Sequence, residues 1–80
     1  MRDADLVQRI TELVAEEHRL ESGHTGEGVT GDTAERLREI EVALDQLWDL
    51  LRQRRARRRG GEDPEDASFR PERVVEGYEQ

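Results

Sequence analysis

Between Leu37 and Leu51 the residues Leu37, Ile40, Leu44, Leu47 and Leu51 follow one another at spacings of three, four, three and four. This is the a/d seam of an α-helix that lays one stripe against another helix, and the twofold period of a strand cannot produce it. Upstream, Leu6, Ile10, Leu13 and Leu20 keep the same phase, with Val7 and Val14 widening the stripe on one side and Glu17 standing as a carboxylate at a seam position. The spacing predicts one helix over about 4–21 and a second over about 33–59. Asp3 or Asp5 suits the positive end of the first helix. Asp32, with Glu35 three residues on, resembles a capping box for the second, and Gly60-Gly61 supplies its stop. Glycines at 23, 26, 28 and 31 make Ser22 to Gly31 too costly to hold as helix, so it reads as a loop. A loop of that length returns the second helix antiparallel to the first. Leu20 then opposes Leu37, Leu13 opposes Leu44, Ile10 opposes Leu47 and Leu6 opposes Leu51.

The apolar face is wider than a hairpin can use. Ala43 and Leu50 flank the second seam on one side and Trp48 flanks it on the other. In a lone hairpin Val7, Val14, Ala43, Trp48 and Leu50 would stay wet, although burying each large group is worth roughly 1.5–3 kcal/mol. With 32% hydrophobic and 41% charged residues in a chain of 80, and no cysteine to staple it, a single copy has a marginal core. The expected state is therefore a homodimer forming a four-helix bundle. Leu37, Ile40, Leu44, Leu47, Trp48 and Leu51, with Ile10 and Leu13, make its core and interface. The alternative is a monomer whose tail covers the flank. That tail, residues 60–80, is acidic and interrupted by Pro64 and Pro71, and Phe69, Val74, Val75 and Tyr78 are its only large apolar groups. It is expected to be extended or partly disordered, docking through those four residues if it docks. The expected fold class is all-α: a two-helix hairpin over 1–59 with this tail.

The net charge of −7 argues against a dedicated nucleic-acid binder, yet its distribution is uneven. Residues 1–51 hold five arginines against thirteen acids, residues 52–59 hold six arginines and no acid, and residues 60–80 hold two arginines against seven acids. Six arginines exceed what the helix dipole asks of a last turn, at ~0.3–1 kcal/mol each. Arg52, Arg54, Arg55, Arg58 and Arg59 are candidate partner-binding residues, for an unknown protein or for the phosphates of nucleic acid or the ribosome. They can equally pair with Asp3 and Asp5, which the hairpin brings near, or with Glu62, Asp63, Glu65 and Asp66. Asp45, Asp49 and Arg52 form a polar stripe, and Gln46, Asp49 and Gln53 lie away from the seam, on a solvated or partner-recognising face.

No chemistry is expected of the rest. Gly26-Glu27-Gly28-Val29-Thr30-Gly31 has the glycines of a phosphate loop, but a helix precedes it and Glu27, Asp32 and Glu35 would repel an anion. Glu21-Ser22-Gly23-His24 has Glu-x-x-His spacing, but it straddles a helix end and not a regular turn facing a bundle interior. His18 reads as a surface residue beside its carboxylates. Neither metal nor cofactor is expected. Ser22 and Ser68 have no base at a recognisable spacing, so the chain reads as a non-enzyme. No apolar run approaches the ~20 residues of a membrane span, and Met1-Arg2-Asp3-Ala4-Asp5 lacks the order of a signal peptide, which makes the cytoplasm the expected location.

Three segments carry a likeness. Glu16-Glu17-His18-Arg19-Leu20 is the first; Glu41-Val42-Ala43-Leu44-Asp45-Gln46-Leu47-Trp48-Asp49-Leu50-Leu51-Arg52-Gln53-Arg54-Arg55-Ala56 is the second. The third combines Asp63-Pro64, Arg70-Pro71 and Val74-Val75-Glu76-Gly77-Tyr78. Together they resemble a small actinobacterial family known as a domain of unknown function. The likeness spans nearly everything but the glycine loop and the arginines after Ala56. It implies an intracellular actinobacterial protein and transfers no activity.

Overall fold

The computed structural model describes residues 1–23 and 31–71. Helix α1 runs Asp3–Ser22 over 20 residues and α2 runs Gly31–Arg59 over 29 residues, about 30 and 43 Å at 1.5 Å per residue. A short 3₁₀ turn follows at Pro64–Asp66, and no strand occurs among the described residues. The chain is an all-α antiparallel hairpin, with helices one residue longer at each end of α1 and two residues longer at the start of α2 than the sequence suggests. His24, the glycine loop as far as Thr30, and Val74, Val75 and Tyr78 lie outside the described residues.

Local chemistry explains the ends. At the start of α1 the Asp5 carboxylate accepts from the Arg2 backbone N–H at 3.1 Å, half of a capping box. Asp3 does not cap; its carboxylate turns across to α2. Asp32 lies inside α2, which begins one residue earlier at Gly31, so it is not the cap. At the far end the Glu62 N–H reaches the Arg57 carbonyl at 2.7 Å and the Gly61 N–H reaches that of Arg58 at 3.3 Å, a Schellman closure. Gly61 takes the left-handed conformation this requires, with φ 77°, so the second of the two glycines makes the stop.

Leu6, Ile10 and Leu13 of α1 interdigitate with Ile40, Leu47, Leu50 and Leu51 of α2 as one buried core. Val14, Leu20, Ala43, Leu44 and, from beyond the helices, Ala67 pack against it half-buried. Ion pairs pin the register at two levels. Asp3 meets Arg54 and Arg58, and Glu16 meets Arg36 through two bonds of 2.7 and 2.8 Å. Two expectations are corrected here. Leu37 is only half-buried and stands outside the core cluster, because α1 ends near its level. Leu50, expected to stay wet in a lone hairpin, is buried in a core against which Ala67, from the chain after α2, also packs. Of the alternatives open to the arginine block, pairing with Asp3 is present at both Arg54 and Arg58.

Candidate interaction surface

The hairpin has two sides, and among the described residues the chain covers only one. On the covered side residues 62–71 return along α2, with Ala67 against the core and polar groups making the other attachments. Gln53 Nε2 donates to the Ser68 carbonyl at 2.7 Å and to Asp49 at 2.8 Å. Gln46 Nε2 donates to the Arg70 carbonyl at 3.4 Å, and the Arg70 guanidinium lies 3.4 Å from Asp49. Asp49, expected on a solvated or partner-recognising face, is buried at 3% exposure and satisfied by these two neighbours. Gln53 is likewise half-buried. The expected docking through Phe69 is corrected: the residue is 53% exposed, and the segment attaches through the Ser68 and Arg70 carbonyls, the Arg70–Asp49 ion pair and Ala67.

Arg54 closes the end of the hairpin. It was a candidate for partner binding, but its side chain is only 6% exposed and every contact is internal. Its Nε donates to Asp3 at 2.7 Å, Nη2 to the Met1 carbonyl at 2.6 Å, and Nη1 to the Pro64 carbonyl and Glu65, each at 3.3 Å. One guanidinium thus ties the first residues, α2 and the 3₁₀ turn together, which the fixed fork of arginine suits and a lysine would not. The α-amino group of Met1 completes the junction by pairing with Glu65 at 3.1 Å. Hydrogen bonds from Arg58 and then Arg54 hold the Asp3 carboxyl down at about 2, from an ordinary 3.8. The same kind of bonding, from the α-amino group first and Arg54 second, lowers Glu65. Arg36 lowers Glu16 on the opposite margin.

Of the other arginines in the block, Arg58 is bound by Asp3 and Arg57 pairs with Glu62 at 3.2 Å. Arg52, Arg55 and Arg59 are exposed and make no ion pair among the described residues. The signal for Arg54 was present: the seam continues past Leu51 by three and then four residues, onto Arg54 and Arg58.

The second side stays open. Val7 and Val14 are one heptad apart on the flank of α1, while Leu37 and Leu44 are one heptad apart on the flank of α2, with Trp48 one turn beyond Leu44. Glu17 of α1 lines one shallow depression with Glu41, Leu44, Asp45 and Trp48 of α2, so the two flanks form a single face. On it Val7 and Trp48 are each 44% exposed, and Val14, Leu37 and Leu44 are half-buried. No described segment of the chain covers them. Glu41 and Asp45 lie toward one end of the α2 stripe, and Arg52, Arg55 and Arg59 toward the other.

Among the described residues no cluster of three metal-ligating side chains occurs, and no helix is long and apolar enough to cross a membrane. Glu21-Ser22-Gly23-His24 cannot be placed as a unit, since His24 lies outside the described residues. No buried side-chain polar atom among the described residues lacks a hydrogen-bond partner.

No solved structure matches the chain. Uncharacterized proteins of Mycobacterium tuberculosis and of Mycobacterium bovis are each 47% identical over 77 residues, covering 95% of this chain and 88% of the relative. The family described as "Protein of unknown function (DUF2630)" matches residues 2–80. With both ends of the hairpin and the returning segment inside that match, the chain belongs to the DUF2630 family.

Proposed function

We propose that this protein is a non-enzymatic helical interaction module whose open face binds a second copy of itself, giving a homodimeric four-helix bundle. The observation that carries the reading is the uncovered apolar strip of Val7, Val14, Leu37, Leu44 and Trp48. The chain's own returning segment covers the opposite flank, and no described residue covers this one. Exposed single apolar residues are ordinary, but a strip contributed by both helices is the mark of an interface. Trp is among the residues most often found at the energetic centre of such interfaces. Arg54, Asp49 and Gln53 are consumed in holding the chain to itself, which supports a structural role for these three polar groups.

The alternative role, an accessory to nucleic acid or ribosome through the arginine block, has less to work with. Arg54, Arg57 and Arg58 are engaged with acids, which leaves Arg52, Arg55 and Arg59 for phosphates. Sedimentation equilibrium over micromolar concentrations tests the main reading. The wild-type chain is expected to fit a monomer–dimer equilibrium, and Trp48→Ala to weaken it while the far-UV circular dichroism stays helical. A wild-type chain that remains monomeric throughout would remove the reading.

A further inference from the structure

The open face is not only apolar; its charges are ordered. Along α2 the stripe reads Leu37, Glu41, Leu44, Asp45, Trp48, Arg52, Arg55 and Arg59, acids before the tryptophan and arginines after it; Arg38, one heptad before Asp45, stands at its margin and lines a depression with Glu35, Glu39 and Val42 instead. Glu17 of α1 adds a third carboxylate beside Leu44 and Trp48, at the acidic end. Glu41, Arg52 and Arg55 are exposed, Asp45 is half-buried, and none of the four makes an ion pair among the described residues.

Two arrangements bring this face against its own copy while keeping neighbouring helices antiparallel. In one, α2 lies over α1 of the second copy and like ends coincide. Glu17, Glu41 and Asp45 would then stack on the same three carboxylates of the other copy, which is repulsive. In the other, the second copy is turned end for end, so that α2 lies over α2. The acidic half of each copy then meets the arginine half of the other.

We propose that two copies pair in this second way, α2 antiparallel to α2, about a twofold axis passing between Leu44 and Trp48. The inference rests on the self-association proposed above and fixes its geometry. An isologous interface repeats every contact, so one complementary pair serves twice. Trp48 of each copy packs on Leu44 of the other, and Val7 of each α1 lies over Val14 of the other. Arg52 of each copy faces Glu41 of the second, with Arg55 one turn further along and Asp45 within reach of Arg52. The same charges set the register. Sliding one helix by a turn would move Trp48 off Leu44 and Arg52 off Glu41 together.

The chain contains no cysteine, so a single introduced thiol is unique. E41C and R52C, both at exposed positions, are prepared separately, mixed at equal concentration and treated with a short thiol-specific linker. The expected product is the mixed E41C–R52C dimer, with little cross-linking of either variant alone. In parallel, R52E/R55E leaves Arg59 as the one arginine of the stripe and E41R/D45R leaves Glu17 as the one carboxylate beside it. Each alone is expected to dimerise at least about tenfold more weakly than wild type, and an equimolar mixture to recover a heterodimer. Far-UV circular dichroism confirms that each variant is folded. If wild type is dimeric but E41C and R52C do not cross-link and the charge variants self-associate unchanged, this pairing is overturned while self-association stands. If wild type is monomeric, both fall.

Discussion

Leu50 separates a hairpin whose flank is open from one whose flank is covered by its own chain. It stands one residue before the seam residue Leu51 and would lose little on truncation if only α1 packed against α2. In the structure it is 3% exposed, comparable to Leu13 at 2%. Leu50→Ala removes three carbon groups worth about 0.8 kcal/mol each, and the cavity they leave raises the total to about 3–4 kcal/mol. A chain of 80 residues has a total stability on the order of 4–12 kcal/mol, so the loss is a large fraction of it. With a urea dependence of about 1–3 kcal/mol per M, the unfolding midpoint should fall by about 2 M. Urea titration followed by circular dichroism at fixed protein concentration reads this directly, with Val7→Ala, on the exposed flank, expected to cost under about 1 kcal/mol in the monomer. A second measurement asks whether the returning segment does the covering. Leu50→Ala and Gln53→Ala should be non-additive, because Gln53 anchors the segment that lies near Leu50. A Leu50→Ala cost below about 1 kcal/mol would refute the reasoning.

Further outcomes follow from the junction and the turn. Asp3 is depressed in the folded chain to about 2, so its contribution is present above the ordinary 3.8 and is lost as pH falls from about 4 toward 2. Thermal melts across that window should drop, and Asp3→Asn should lower stability at neutral pH while flattening the acid limb. Arg54→Ala should lower the melting temperature far more than Arg55→Ala, and Arg54→Lys should recover only part of the loss, since an ammonium cannot span Asp3, the Met1 carbonyl and the Pro64 carbonyl at once. Equal melting temperatures for the variants at 54 and 55 would remove Arg54 from its place as the closure. Gly61→Ala should cost about 1–2 kcal/mol through its φ of 77°, with open space around the new methyl, whereas Gly60→Ala should be near neutral. Urea midpoints of the two variants check the contrast.

What the sequence made legible was whatever obeyed a period. Leu6, Ile10, Leu13, Ile40, Leu47 and Leu51 announce themselves because burial on a helix repeats at three and four. The same period, carried past Leu51, falls on Arg54 and Arg58, and there the chemistry hid it, since six arginines in eight residues read as one surface block. The covered flank was illegible for a different reason. Gln46 and Gln53 bond to the carbonyls of Arg70 and Ser68, and a backbone acceptor leaves no mark in a sequence. Asp49 is therefore expected on a solvated or partner-recognising face, whereas Gln53 and Arg70 satisfy it in a buried place. Leu37 sits in perfect phase yet is only half-buried, because phase says which side a residue faces and not how far the neighbouring helix extends. The open face was legible in outline, as excess apolar width, but which flank stays open depends on the path of residues 62–71.

Trp48 is the sole tryptophan, so its fluorescence reports the open face without labelling. Acrylamide quenching measured from high to low protein concentration tests directly whether that face is hidden between copies. The account predicts strong protection at high concentration, rising on dilution to the accessibility of a half-exposed ring, with the midpoint tracking dissociation. Quenching that is the same at every concentration would contradict it.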